Sequence, residues 1–162
     1  MQVVFDSSTL ILLAKISLLR TVSENFGCLV TREVEKESTE NKNSFDAKLI
    51  AQLIKEGKIG IVKNAKEGGL EKDFRLGKGE ASALSFAIEK GMVVATDDKP
   101  AIKACRVFNV GFVTAMDFVI DAFDNGKISA GEAKAKIKSL DEYGRYDTRI
   151  ISEALEKIGD EK

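Results

Sequence analysis

The run 93-VVATDD-98 ends on two adjacent acids, Asp97 and Asp98, and the opening run 2-QVVF-5 stops at Asp6. One acid at the end of a strand is ordinary; two such places in one chain invite comparison. Glu80 follows the turn 76-LGKG-79 and opens a helical pattern, and Glu37 lies on the helical pattern after the second apolar run. Each acid taken singly has a bland explanation. The helix macrodipole favours a first-turn acid by about 0.3–1 kcal/mol, which covers Glu80 and Asp98. Asp6 reads as a turn residue, and Glu37 as part of a solvated face with Glu33, Glu35 and Glu40. Gathered in one place, the acids are harder to dismiss. Two carboxylates about 5 Å apart repel by roughly 3 kcal/mol at an effective dielectric near 20. Either they protonate or a cation sits among them, and Mg2+ and Mn2+ prefer all-oxygen donors.

Composition narrows the chemistry further. The 162 residues contain no histidine, which excludes Ser-His-Asp and Cys-His catalysis and His-ligated zinc. Cys28 and Cys105 form no CxxC pair and read as two buried small hydrophobes. A net charge of −1 gives no global attraction to nucleic acid, so such binding needs a local basic patch. No apolar run approaches a membrane span of roughly 20 residues and the start lacks a basic signal-peptide head, so the expected location is cytoplasmic.

The elements that must position the acids alternate between strand and helix. Strands are expected at 2–6, 28–30, 60–62, 92–96 and 111–114. Helices are expected at 10–16 (capped by Ser7-Ser8), at 18–26, from Thr31 through Val34 and Glu37, and over 45–54. Further helices are expected at 81–88, 100–108 and 116–123, then 129–140 and about 147–158. The polar run 38–44 reads as a loop, and the glycine- and charge-rich 63–78 as an exposed connection. This alternation predicts one α/β domain with a parallel sheet covered on both faces: residues 1–128, extended by C-terminal helices over 129–162. In such a sheet all strands share one C-terminal edge, where ligands bind at the point of reversed strand order. Asp6 and Asp97-Asp98 would both land there.

The segments 3-VVFDSSTLILLAKI-16, 34-VEKE-37, 76-LGKGEASALSFAIEKG-91 and 94-VATDDKPAIKACR-106 resemble the PIN-domain nucleases, in the prokaryotic and especially archaeal subgroup related to VapC toxins. The resemblance runs over about residues 2–120. It implies a three-layer α/β/α fold and metal-dependent hydrolysis of RNA, with catalytic acids at Asp6, Glu37, Glu80, Asp97 and Asp98. Of these, Asp6, Glu80 and Asp98 would hold one or two Mg2+ or Mn2+ ions that activate water for in-line attack. Asp97 and Glu37 would be outer ligands or orient waters. Asp98 matches the family's usual acid, while Asp97 stands where Asn is commoner. Ser8 and Thr96 match residues beside the site and join the expected nucleic-acid-binding set. Thr9 and Thr31 each replace a frequent proline. The resemblance also implies a homodimer and, as a toxin-like protein, a small antitoxin partner.

An acidic site needs flanking cations to hold RNA. Lys99, Lys103 and Arg106 are spaced four and three apart on one helical face, placing them in the nucleic-acid-binding set. Lys134, Lys136 and Lys138 alternate and share no face. A haloacid-dehalogenase-type phosphatase would need an acid where Ser8 stands, and a receiver domain an acid where Lys63 follows 60-GIV-62. The remaining alternative is a PIN-like domain without activity, acting as an RNA-binding or assembly module.

Overall fold

The computed structural model describes residues 1–66, 69–143 and 146–159. Five strands form one parallel sheet: β1 (Gln2–Phe5), β2 (Gly27–Thr31), β3 (Ile59–Val62), β4 (Val93–Ala95) and β5 (Phe112–Val113). Their order is β3-β2-β1-β4-β5, so the chain steps outward from β1 to β3 and then crosses back to β4 on β1's other side. Register places Val4 beside Val94 and Phe5 beside Ala95. The reversal of strand order therefore falls between the two strands that end in Asp6 and in Thr96-Asp97-Asp98.

Ten helices among the described residues cover the sheet: α1 (Ser7–Lys15), α2 (Leu19–Asn25), α3 (Arg32–Thr39), α4 (Phe45–Lys55), α5 (Leu70–Phe74), α6 (Lys78–Lys90), α7 (Lys99–Val107), α8 (Ala115–Asp124), α9 (Ala130–Glu142) and α10 (Thr148–Ile158). The result is the expected three-layer α/β/α arrangement. The buried side chains form two clusters. One cluster gathers Val3, Phe5 and Ala95 with α1, α2, α8 and the C-terminal helices; Phe5 stacks on Phe118 at 5.5 Å. Val94 instead joins Leu84, Ala87, Ala104 and Cys105 beneath α6 and α7. Both cysteines are buried, as expected, and burial pushes their thiols up, Cys28 to about 12 and Cys105 to about 11.

Helices α9 and α10 bury Ile137, Leu140, Ile151, Ala154 and Ile158 in the larger cluster with β1, so they complete the main core. Lys136 donates from Nζ to the carbonyl of Ile16 at 2.9 Å, closing the C-terminus of α1 with a cation where the macrodipole is negative.

Three expectations change. The cap of α1 is Asp6, whose Oδ1 accepts from the Thr9 N–H at 2.9 Å, not Ser7 or Ser8, which are its first helical residues. The connection 63–78, of which 67 and 68 lie outside the described residues, contains α5 and buries Leu70 and Leu76. Five residues are too few to display a helical period among glycines and charges, so the helix was invisible to pattern. It ends at Arg75 in the left-handed conformation (φ 57°), where the Cβ of an ordinary residue is crowded. In addition, α3 runs on to Thr39 into the expected loop, and residues 160–162 of the C-terminal extension lie outside the described residues. No helix among the described residues is long and apolar enough to cross a membrane.

Candidate active site

Asp6 and the 96–98 turn meet because β1 and β4 are adjacent and in register. The Asp6 N–H donates to the Ala95 carbonyl at 3.0 Å, extending the ladder one step past the strand end. Asp6 has no exposed surface. Its Oδ1 accepts from the Thr9 N–H and from Ser8 Oγ at 3.3 Å, and its Oδ2 from Thr96 Oγ1 at 2.6 Å. Burial pushes its carboxyl up from an ordinary 3.8 to about 7, against the pull of these donors; the charge of Asp97 adds to the rise.

Thr96 is fully buried. Its hydroxyl donates to Asp6 and accepts from the Asp98 N–H at 3.2 Å, so it joins the two acids through one oxygen. Asp98 caps α7: Oδ2 accepts from the Ala101 N–H at 3.0 Å. Its Oδ1 takes no hydrogen bond from a described residue, leaving half the carboxylate unclaimed.

Glu80 sits half-buried in the first turn of α6. Its carboxyl is raised first by burial and then by the charge of Asp98, with a further contribution from Glu37; the Gly77 backbone opposes the rise. No described lysine or arginine forms an ion pair with Asp6, Glu37, Glu80, Asp97 or Asp98. Gly77 and Gly79 make room for this arrangement. A Cβ at Gly77 would stand 2.5 Å from Glu80 Oε2, and one at Gly79 would collide with the Glu37 carboxylate, 2.9 Å from its Cδ.

Glu37 shares its short helix with Glu33 and Glu35, and the three have different contacts. Glu37 accepts from Ser7 Oγ at 2.7 Å and from the Gly79 N–H at 2.9 Å, tying α3 to the starts of α1 and α6. Glu35 faces Arg32 at 4.0 Å, and the Glu33 N–H donates to Asn64. Thr31 caps α3 through the Val34 N–H, and its hydroxyl lies 2.6 Å from that of Ser82 on α6.

Asp97 has a different environment from its neighbour. Thr9 Oγ1 donates to Oδ2 at 2.7 Å, the Ala115 N–H reaches both oxygens at 3.2 Å, and the Tyr146 hydroxyl donates to Oδ1. Burial raises its carboxyl while these donors oppose the rise. The carboxylate is thus claimed by three elements, and its role here is to hold α1, α8 and the approach to α10 against the end of β4. Tyr146 also accepts from the Met116 N–H at 3.1 Å; burial and then the Asp97 charge hold its phenol above the ordinary range. Ser7, Thr9 and Tyr146 were absent from the sequence-derived set. Ser7 and Thr9 were adjacent to Ser8, but Tyr146 lies 49 residues from its partner and nothing local marks it. Tyr146→Phe is expected to lower stability by about 1–3 kcal/mol, read as a shift in urea midpoint, because it removes one donor from a buried carboxylate. An unchanged midpoint would show the bond to be dispensable.

Of the basic residues, Lys99 and Lys103 are exposed and line one cleft with Arg75 and Pro100. Arg106 lies elsewhere, its guanidinium 5.6 Å from the centre of the Phe112 ring.

No three acidic, histidine or cysteine side chains among the described residues are close enough to form a ready-made cation cage. The donor chemistry still fits a hard divalent ion. The Asp98 charge raises the Glu80 carboxyl, one Asp98 oxygen accepts no hydrogen bond from a described residue, and Mg2+ is commonly held by one or two carboxylates while keeping several waters.

Comparison with known proteins agrees with this geometry. No curated protein matches the chain. A family model described as a PIN domain matches residues 2–160, nearly the whole length and beyond the acids at both ends. With a parallel sheet whose reversal point carries these carboxylates, the chain belongs to the PIN-domain family.

Proposed function

We propose that this PIN domain is a Mg2+- or Mn2+-dependent endoribonuclease of the VapC-like, toxin-related kind. PIN domains are generally nucleases, and the observation that carries the finer reading is the Asp98–Glu80 pair. Asp98 follows β4 at the strand-order reversal, its charge raises the Glu80 carboxyl, and neither acid pairs with a described lysine or arginine, which favours a bound cation.

Asp98 and Glu80 would hold the ion directly, with Asp6, whose oxygens already accept from Ser8, Thr9 and Thr96, acting behind them; when bound, the ion would supply an acidified water and neutralise charge on the scissile phosphate. The chain's own residues do the positioning. Thr96 fixes Asp6 relative to the Asp98 backbone, and Ser7 with the Gly79 N–H fixes Glu37 beside α6, where its charge reaches Glu80. With no histidine in the sequence, carboxylates, lysines, hydroxyls and water are left to manage the protons. Lys99 and Lys103 would meet the phosphates of the substrate strand. The same reading carries a cytoplasmic homodimer and a small antitoxin as partner; exposed Val107 and Phe108 on and after α7 are compatible with such contacts.

The test is cleavage of a quenched fluorescent single-stranded RNA with Mn2+ and, separately, with EDTA. Cleavage that appears with Mn2+ and vanishes with EDTA is expected. Folded protein that binds the RNA but never cuts it would instead identify an inactive PIN-like RNA-binding module.

A further inference from the structure

Helix α5, unexpected from sequence, packs beside α7, with Phe74 and Phe108 in ring contact at 5.6 Å. Between the two helices opens a cleft of about 540 Å³ lined by Asp73, Phe74, Arg75, Lys99, Pro100 and Lys103. Three cations and one acid give its walls a net charge of +2. None of the Arg75, Lys99 and Lys103 side chains makes an ion pair or hydrogen bond to another described residue, so their charged ends are directed to solvent or to a ligand. Phe74 is half-buried and lines the cleft, held by Phe108.

The cleft has a definite relation to the acids. Lys99 directly follows Asp98, and Arg75 is separated only by Leu76 from Gly77, which caps the helix carrying Glu80. Both walls thus grow from the two segments that present the Asp98–Glu80 pair. Cations that track a backbone, beside an aromatic ring that accepts any base, are the chemistry by which proteins hold single strands without reading their sequence.

We propose that this cleft seats the single-stranded nucleic-acid segment flanking the cleaved bond, with Arg75, Lys99 and Lys103 on its phosphates and Phe74 under a base. The position relative to the cleaved bond rests on the nuclease reading; the binding itself does not. Arg75 and Phe74 are thereby substrate-binding residues, and the short helix α5 exists to present them.

The test is fluorescence anisotropy with a labelled ten-residue oligouridylate in EDTA, where cutting is suppressed, across a salt series. Wild type is expected to bind, with affinity falling linearly in log salt. Arg75→Ala combined with Lys103→Ala is expected to weaken binding about 10-fold or more and to flatten the salt slope by about 1.4, since each phosphate contact on a single strand contributes about 0.7. Phe74→Leu, which keeps apolar packing against Phe108, is expected to weaken binding about 10-fold with the slope unchanged. Failure of wild type to bind at low salt, or wild-type affinity and slope in the double variant, would overturn the proposal. So would wild-type affinity in Phe74→Leu, for the stacking contact. The two readings separate cleanly: cleft-dependent binding without any Mn2+-dependent cleavage sinks the nuclease and leaves the cleft, whereas cleavage with cleft-independent binding does the reverse.

Discussion

Asp98→Asn is expected to leave the protein folded while lowering Mn2+-dependent RNA cleavage by about 100-fold or more. The substitution suits the question because Asp98 has two separable duties. As the cap of α7 it accepts the Ala101 N–H through Oδ2. Asparagine caps helices about as well as aspartate, so the helix keeps its start and stability should move by less than about 1 kcal/mol. What disappears is the charge, and with it the repulsion on Glu80 and the anionic oxygen that no described residue claims. Partners that merely support a metal ligand are worth 10- to 100-fold, so an acid at the ion itself should exceed that. Cleavage rates, with urea denaturation of the same preparations, decide the matter. A variant that is equally stable and equally active would remove Asp98 from the chemistry. One that unfolds would mean that the charge on the cap, and not its geometry, holds α7.

The second large effect concerns Asp6 and has an unusual sign. Most carboxylates in folded proteins are held below their ordinary range and stabilise the fold as pH rises. Asp6 is held above it, at about 7 against 3.8, by burial. The native state therefore keeps a proton that the unfolded chain releases. The associated stability is complete below pH 3.8 and is lost as pH rises towards and through 7. That interval corresponds to about 4 kcal/mol. Relative to Asp6→Asn, wild type in EDTA should lose stability steadily between pH 4 and 8, so the variant becomes the more stable protein at the alkaline end. The raised carboxyls of Asp97 and Glu80 act in the same direction in both proteins and largely cancel in the comparison. Mn2+ should narrow the gap, because a cation favours the ionised carboxylate. The experiment is a set of urea midpoints across that pH range; a difference that stays constant with pH, or grows in wild type's favour, would refute the account.

How much of this was legible beforehand varies residue by residue. Strands and long helices announced themselves because buried strands read as apolar runs and helices carry a 3.6-residue period. The parallel sheet then placed Asp6 near Asp97-Asp98 from topology alone, without any contact being known. Helix α5 escaped because five residues show no period, and its loss concealed the partnership of Arg75 and Phe74 with α7. The tie from Glu37 to the Gly79 N–H, 42 residues away, had no local signature either.

Thr9 and Asp97 show a subtler limit. By the resemblance drawn from sequence, each stands apart from the expected pattern, Thr9 in place of a proline and Asp97 in place of an asparagine. In the structure the departures meet: the Thr9 hydroxyl donates to the Asp97 carboxylate at 2.7 Å. Thr31, the other replacement for proline, caps its helix and reaches Ser82. A single sequence presents such residues as separate exceptions, because pairing across 88 positions has no local signature.

The bond from Tyr146 to Asp97 makes the C-terminal helices part of the same thermodynamic system as the acids. Asp97 is covalently joined to Asp98, and Tyr146 lies just ahead of α10. Linkage is reciprocal: whatever ligand at Asp98 steadies the Asp97 turn must also resist local opening of α10, by the same free energy with which a closed α10 favours that ligand. A ligand bound at Asp98 would then be felt as slower local opening of α10, a helix that lies away from it.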